Sequence, residues 1–213
     1  MGTNLHGNSE GIGFNRPETQ PPTLSVKDFY KHPELSPEDL ERIAQAHEYQ
    51  GISKGTMLLQ EGQRAKAYYC IGSGLVRSFA TNPSGKDITT GFMNQGQIAI
   101  EVASLFLGIP TEENFQTLSD CQVWKIPLLT FHELFNHIPA FASWGREWMS
   151  QALLTHKLRA LRMITEPARD RYLRLQQEQP ELLQQVPLKY IASYLGITDS
   201  SLSRIRKGIA AGN

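Results

Sequence analysis

Side chains that bear chemistry are thinly scattered over most of this chain and crowd together near its end. Residues 188–208 read Leu-Lys-Tyr-Ile-Ala-Ser-Tyr-Leu-Gly-Ile-Thr-Asp-Ser-Ser-Leu-Ser-Arg-Ile-Arg-Lys-Gly. Within them Thr198, Asp199, Ser200, Ser201, Ser203, Arg204, Arg206 and Lys207 supply hydroxyls, one carboxylate and three cations. An arginine can take a guanine edge with two parallel hydrogen bonds, and serines can donate to bases or phosphates. Arg206 and Lys207 can neutralise phosphates from the end of a helix. Asp199 suits the positive end of a helix but repels phosphate, unless it accepts from a cytosine amine. The chemistry on offer is the reading of a nucleic-acid groove.

Other chemistries find little support. There is no Gly-x-Ser-x-Gly elbow, no Gly-rich phosphate loop and no His-Glu-x-x-His. Glu112 and Glu113 are adjacent, as in an exposed turn rather than an acid/base pair. Cys70 and Cys121 are too few for a disulfide framework or a four-thiolate cluster, and read as buried reduced thiols. The six histidines lie far apart. His132 and His137, five apart, miss a common helical face and read as solvated or capping residues. The reading is therefore of a protein that is not an enzyme and has no metal or cofactor.

The basic cluster needs a frame, and its neighbours provide one. Two helices crossing steeply through a tight turn need a small residue at the crossing, which Ala192 supplies, and a residue that accepts positive φ in the turn, which Gly196 supplies. Ile191 and Leu195 point inward from the first helix; Ile197, Leu202 and Ile205 do so from the turn and second helix. Thr198 is placed to cap the second helix. The pattern predicts a helix-turn-helix with its polar side chains on the second helix. An ordinary helical hairpin with a basic end is the competing reading. Charge is distributed accordingly: residues 157–213 hold ten Lys or Arg against five acids, the remainder eleven against sixteen. A basic segment on an acidic body suits contact with phosphate, and equally a solvated helical surface.

Upstream, residues 1–22 are rich in Gly, Asn and Pro and are expected to be disordered or foreign to the native protein. Ser36-Pro37-Glu38-Asp39 reads as a helix start. From Gly55 to Ile126 the apolar period is two. Runs at 57–59, 68–71, 75–79, 88–93, 115–118 and 123–126 alternate with turn residues, which predicts an antiparallel sandwich or roll. After Pro127 the helical period returns, over 128–137, from Pro139 to about Thr165, and over Ala168–Gln179 until Pro180. The long helix carries Phe141, Trp144, Trp148 and Ala152, then Leu154, Leu158 and Leu161, at spacings of three and four. It outruns what one small roll can cover, so pairing with a two-fold mate is expected. No run of 18 apolar residues spans a membrane and no secretory signal is legible, so a cytoplasmic location is expected.

From Leu24 to Lys207 this order of elements resembles the cyclic-AMP receptor / fumarate-nitrate regulator (CRP/FNR) family of transcription regulators. Its most specific stretch is Pro167-Ala168-Arg169-Asp170-Arg171-Tyr172, then Pro187-Leu188, Ile191 to Ile197 and Ser201 to Lys207. The resemblance implies an α+β chain in four parts. Residues 1–22 precede the fold, 23–137 form a cyclic-nucleotide-binding-like β roll (a jelly roll), 138–166 a long dimerisation helix, and 167–213 the helix-turn-helix domain. It implies a homodimer that binds a palindromic double-stranded DNA operator, controls transcription and can meet RNA polymerase, with no membrane partner. The alternative is a small-molecule binding module whose helical end makes protein contacts only. Two departures stand out. Only Gly208–Asn213 follow the second helix, too few for the two-stranded wing common in the family. In the family's cyclic-nucleotide binders a Gly-Glu pair precedes Arg-Ser/Thr-Ala, with the Arg on the cyclic phosphate. Here Gly96 and Glu101 lead to Thr111-Glu112-Glu113, and two carboxylates stand where phosphate would sit; at about 4 Å each would cost roughly 4 kcal/mol before screening. Arg77 or Lys86 is left to substitute. The effector pocket is thus expected around Arg77, Gly96, Glu101, Thr111, Glu112 and Glu113, with a small-molecule effector other than cyclic AMP.

Overall fold

The computed structural model describes residues 24–211, and the expectation for residues 1–22 lies outside them. A 3-10 turn at Val26–Phe29 leads to α1 (Pro37–Gln45). Ser36 starts α1 as its sequence asks. Its hydroxyl accepts from the Asp39 amide at 3.1 Å, and the Asp39 carboxylate accepts from the Ser36 amide at 3.2 Å.

Eight strands follow: β1 (Glu48–Ile52), β2 (Met57–Leu59), β3 (Ala67–Ser73), β4 (Val76–Thr81), β5 (Asp87–Met93), β6 (Ile98–Ala99), β7 (Asn114–Thr117) and β8 (Cys121–Pro127), with α2 (Val102–Leu107) between β6 and β7. They form two antiparallel sheets, ordered β1-β8-β3-β6 and β2-β7-β4-β5. Alternation places Leu59, Ile71, Val76, Phe115, Cys121 and Val123 on the inner faces, where they bury one another. The roll is closed by its own side chains. β1 escaped the sequence reading because Gly51 and polar Glu48 and Gln50 blur its alternation; register with β8, from Glu48 opposite Lys125 to Ile52 opposite Cys121, makes it a strand.

α3 (Leu128–His137) and α4 (Pro139–Thr165) come next. The first turns of α4 press Phe141 and Trp144, stacked with centroids 5.3 Å apart, onto Tyr30, Tyr68 and Phe131. At the heart of that cluster the Tyr30 hydroxyl lies 2.7 Å from His47 Nε2, 2.8 Å from the Tyr68 hydroxyl and 3.4 Å from Cys70 Sγ. Burial holds His47 down at about 4 and pushes the Cys70 thiol up to about 12. Both groups are therefore neutral near pH 7. The rest of α4, a 27-residue helix about 40 Å long, leaves Leu153, Leu154, Leu158, Leu161 and Ile164 exposed.

The chain ends in α5 (Ala168–Glu178), α6 (Pro180–Gln185), α7 (Leu188–Tyr194) and α8 (Asp199–Ala210). Pro180 does close α5, but it also opens α6, since proline at a first helical position loses no hydrogen bond. α8 runs through Gly208 to Ala210 rather than stopping at that glycine. Tyr172, Leu175, Leu182, Val186, Ile191, Leu195 and Leu202 share one core with Leu75 and Phe92 of the roll. The C-terminal helices therefore rest directly on the sheet of β4 and β5.

Candidate nucleic-acid interface and effector face

The α7–α8 turn is built by local chemistry. Gly196 takes φ 67°, where a side chain would be strained. Its amide donates to Ser193 O at 3.1 Å, and the Ile197 amide to Ala192 O at 3.0 Å. These are the paired bonds of a Schellman cap, which satisfies carbonyls that a helix end leaves open. Thr198 then caps α8, accepting from the Ser201 amide at 3.2 Å. Ile191, Ala192, Leu195 and Leu202 are buried between the helices, and Ile197 and Ile205 are half-buried beside them.

The opposite face of α8 is open. Thr198, Asp199, Ser200, Ser203, Arg204, Arg206 and Lys207 are all exposed. Ser201 differs: it is half-buried, and its hydroxyl lies 3.0 Å from Thr198 Oγ1 and 3.4 Å from Arg204 Nη2. It braces the cap and Arg204 more than it presents a donor. Arg169, at the start of α5, lines the same shallow surface as Ser201, Arg204, Ile205 and Gly208. The sequence reading left it out of the site because it lies on another helix.

Much of the positive excess of residues 157–213 does not face outward on α8. Arg162 and Arg174 meet Glu166 and Glu178 at 2.9–4.0 Å. Arg159 donates to Tyr194 O at 3.0 Å, and Arg171 to Leu195 O at 2.8 Å and to Glu166 O. These four arginines hold the helices together. Of the other six cations in that stretch, Lys157, Arg169 and Lys189 are exposed on α4, α5 and α7, and Arg204, Arg206 and Lys207 on α8.

The residues expected to form an effector pocket do not converge. Arg77 is the clearest correction. It points to the outer face of β4, away from inner-face Val76, and its side chain has no solvent exposure. Its guanidinium carbon lies 4.2 Å from the Phe79 ring centroid and 3.8 Å from that of Tyr190 on α7. Burial pulls its pKa down, opposed by Tyr190 and Asp87. It is thus no substitute for a phosphate-binding arginine inside the roll: β4 alternation and the docking of α7 turn it the other way. Glu101 caps α2, accepting from the amides of Ala103 and Ser104. Gly96 serves a turn, with φ 85° and its amide bonded to Ile71 O at 2.9 Å. Thr111 is buried, and its hydroxyl accepts from the Glu113 amide at 3.0 Å; Glu112 is exposed. A small apolar cleft does open between the roll and α4, lined by Ile100, Leu105, Phe106, Phe135, Trp148 and Met149 among others, with about 20 Å³ of free space. That is room for about one water molecule, far below the volume of a nucleotide.

Among the described residues no helix is long and apolar enough to cross a membrane, and no group of three or more His, Cys, Asp or Glu is placed to hold a metal ion.

Residues 50–137 match the family model of the cyclic nucleotide-binding domain. No curated protein matches the chain in sequence. Among solved structures, the chain is similar to the c-di-GMP responsive global regulator CLP of Xanthomonas campestris, at 20% identity and TM-score 0.67, over 83% of this chain and 93% of that one. A regulator from Eubacterium rectale assigned to the crp/fnr family aligns at 17% identity and TM-score 0.67, over 84% and 86%. FixK2 of Bradyrhizobium japonicum aligns at 16% identity and TM-score 0.64, over 78% and 85%. At these identities the likeness is one of fold.

Proposed function

We propose that this chain, a cyclic nucleotide-binding domain carried on the fold of CRP/FNR transcription regulators, is a sequence-specific DNA-binding regulator that acts as a homodimer. One observation carries the reading: α8 is capped and buried on one side and presents Ser200, Ser203, Arg204, Arg206 and Lys207 on the other. Arg204 reads a base edge, while Arg206, Lys207 and Arg169 hold phosphates. The exposed stripe of Leu154, Leu158 and Leu161 on α4 repeats at spacings of four and three, as a helix pairing with its two-fold mate requires. Two-fold symmetry then sets two α8 helices about 34 Å apart on a palindromic duplex.

The effector is not cyclic AMP bound in the manner of the family's nucleotide binders. The inner faces of the roll are filled, Glu101 already occupies the amides of α2, and Arg77 faces outward. Calorimetric titration should show no heat of binding for cyclic AMP; a micromolar constant would sink this part.

Selection from a random duplex library at fixed salt, with Arg204→Ala in parallel, tests the main reading. An enriched palindrome that the variant fails to enrich is the expected result. Equal, unselective binding by both proteins would refute it.

A further inference from the structure

Three arginines from three elements converge on α7 and the turn that follows it. Arg159 of α4 and Arg171 of α5 take the carbonyls of Tyr194 and Leu195. The third, Arg77, comes from the roll. Its Nε donates to Thr89 Oγ1 at 2.9 Å. That oxygen lies 2.8 Å from Ser193 Oγ on α7, which also accepts from the Thr89 amide at 3.2 Å. Phe92 and Tyr194 pack beside this chain with centroids 5.2 Å apart, and Asn94 Nδ2 donates to Glu181 at 3.0 Å.

Stability alone is a poor reason for an arginine there. Among the described residues Nη1 and Nη2 make no hydrogen bond, and the carboxylate of Asp87 is 3.6 Å away, half exposed. A buried cation so incompletely satisfied is often less stabilising than a well-packed apolar residue of similar size. What a flat cation adds is register. It is accommodated only when the Tyr190 ring lies over it and the Thr89–Ser193 contact closes beside it. The polar residues of α8 remain exposed while α7 is docked, so the docked arrangement is one in which the reading face is free.

We propose that Arg77 is a positioning residue for DNA reading: it registers α7 on the β4–β5 hairpin, so that the roll itself, and not the long helix alone, sets the attitude of α8. A shift of β4 and β5 would then be transmitted through Tyr190 and Ser193, because the Gly196 turn ties α8 to α7. This inference rests on the DNA-binding reading above, and its test separates the two.

Full-length wild-type protein is compared with Arg77→Met, Tyr190→Leu, their combination and Arg77→Lys. One readout is amide hydrogen exchange over residues 188–210. The other is affinity for the duplex selected by the wild type, and for the same half-sites set one or two base pairs further apart. Arg77→Met keeps the bulk and removes the charge. It should speed exchange in α7 and α8 about tenfold with α1 and α3 unchanged, weaken the selected duplex about tenfold and flatten the preference for spacing. Tyr190→Leu should do the same and the pair no more than either, since both remove one contact. Arg77→Lys should recover part of the loss. Wild-type exchange in Arg77→Met would overturn the proposal, because bulk would suffice. So would tighter DNA binding, which would make the contact a restraint, or faster exchange with unchanged spacing preference, which would make it merely stabilising. If neither wild type nor Arg204→Ala selects any duplex, the failure is that of the DNA reading, and exchange alone judges whether Arg77 registers α7.

Discussion

At the N-terminus of α8 the capping group is the neutral hydroxyl of Thr198, and the exposed face that follows carries Arg204, Arg206 and Lys207. At the N-terminus of α2 the capping group is the carboxylate of Glu101, and the residues that follow are Val102, Phe106 and Leu107, exposed and apolar. Both ends offer backbone amides and a positive dipole. At α2 the Glu101 carboxylate takes the Ala103 and Ser104 amides, and Ser104 in turn holds the Ala65 amide, between exposed Arg64 and Lys66; at α8 the cap is neutral and the Asp199 carboxylate stands beside it in the first turn. The same fold has capped one helix end with a charged group and the other with a neutral one. The side of the roll that faces α4 is sealed by a polar cluster, in which His47, Tyr68 and Cys70 each meet the Tyr30 hydroxyl. The difference teaches that what a helix end offers depends on the one side chain that caps it.

The largest effect that would sharpen this contrast is on the sealed side. Unfolded His47 takes up a proton below about 6.5, whereas folded His47 does so only below about 4. Between those values the unfolded chain holds more protons, so stability rises with pH. This contribution is complete above about 6.5 and is lost as pH falls toward 4, reaching about 3 kcal/mol. Thermal unfolding followed against pH should show it, and His47→Gln should flatten that part of the curve. A slope unchanged in the variant would mean the core is open to protons after all.

On the open side, Arg204→Ala should weaken the selected duplex by about 10- to 100-fold and relax the preference at one base position. Uniform weakening across all sequences would reassign Arg204 to phosphate. Thr198→Ala should lower unfolding stability by about 1 kcal/mol, the usual value of a cap, and loosen α8 on DNA in proportion. No change in a denaturant midpoint would show that the cap is dispensable. The smallest effect is expected of Lys207→Ala: a modest loss of affinity, with the slope of log affinity against log salt reduced by about 1. An unaltered slope would remove Lys207 from the phosphate contacts.

The α7–α8 turn was legible because each of its demands is local. A glycine at 196, a threonine at 198 and apolar residues in register lie within one short segment, and the hydrogen bonds they form span a few residues. The strands of the roll were legible by alternation where it was clean, and β1 was missed where Gly51 interrupted it. The effector residues were not legible in the same way. Which face of β4 Arg77 takes, and what waits there, depends on a contact between Thr89 and Ser193, 104 positions apart. Charge counting failed for a related reason: it cannot tell that Arg162 and Arg174 are answered by Glu166 and Glu178 while Arg206 and Lys207 lie open.

The succession of strands and then helices, the capped and glycine-turned hairpin and the side chains on its outer helix were determined by the sequence alone, because they follow from backbone preferences and hydrophobic period over short stretches. Only the tertiary structure decided that the roll is filled, that α2 is capped by its own carboxylate and that a buried arginine joins the roll to α7. Those outcomes depend on which distant surfaces meet, and the desolvation and packing that follow are properties of the meeting and not of either segment.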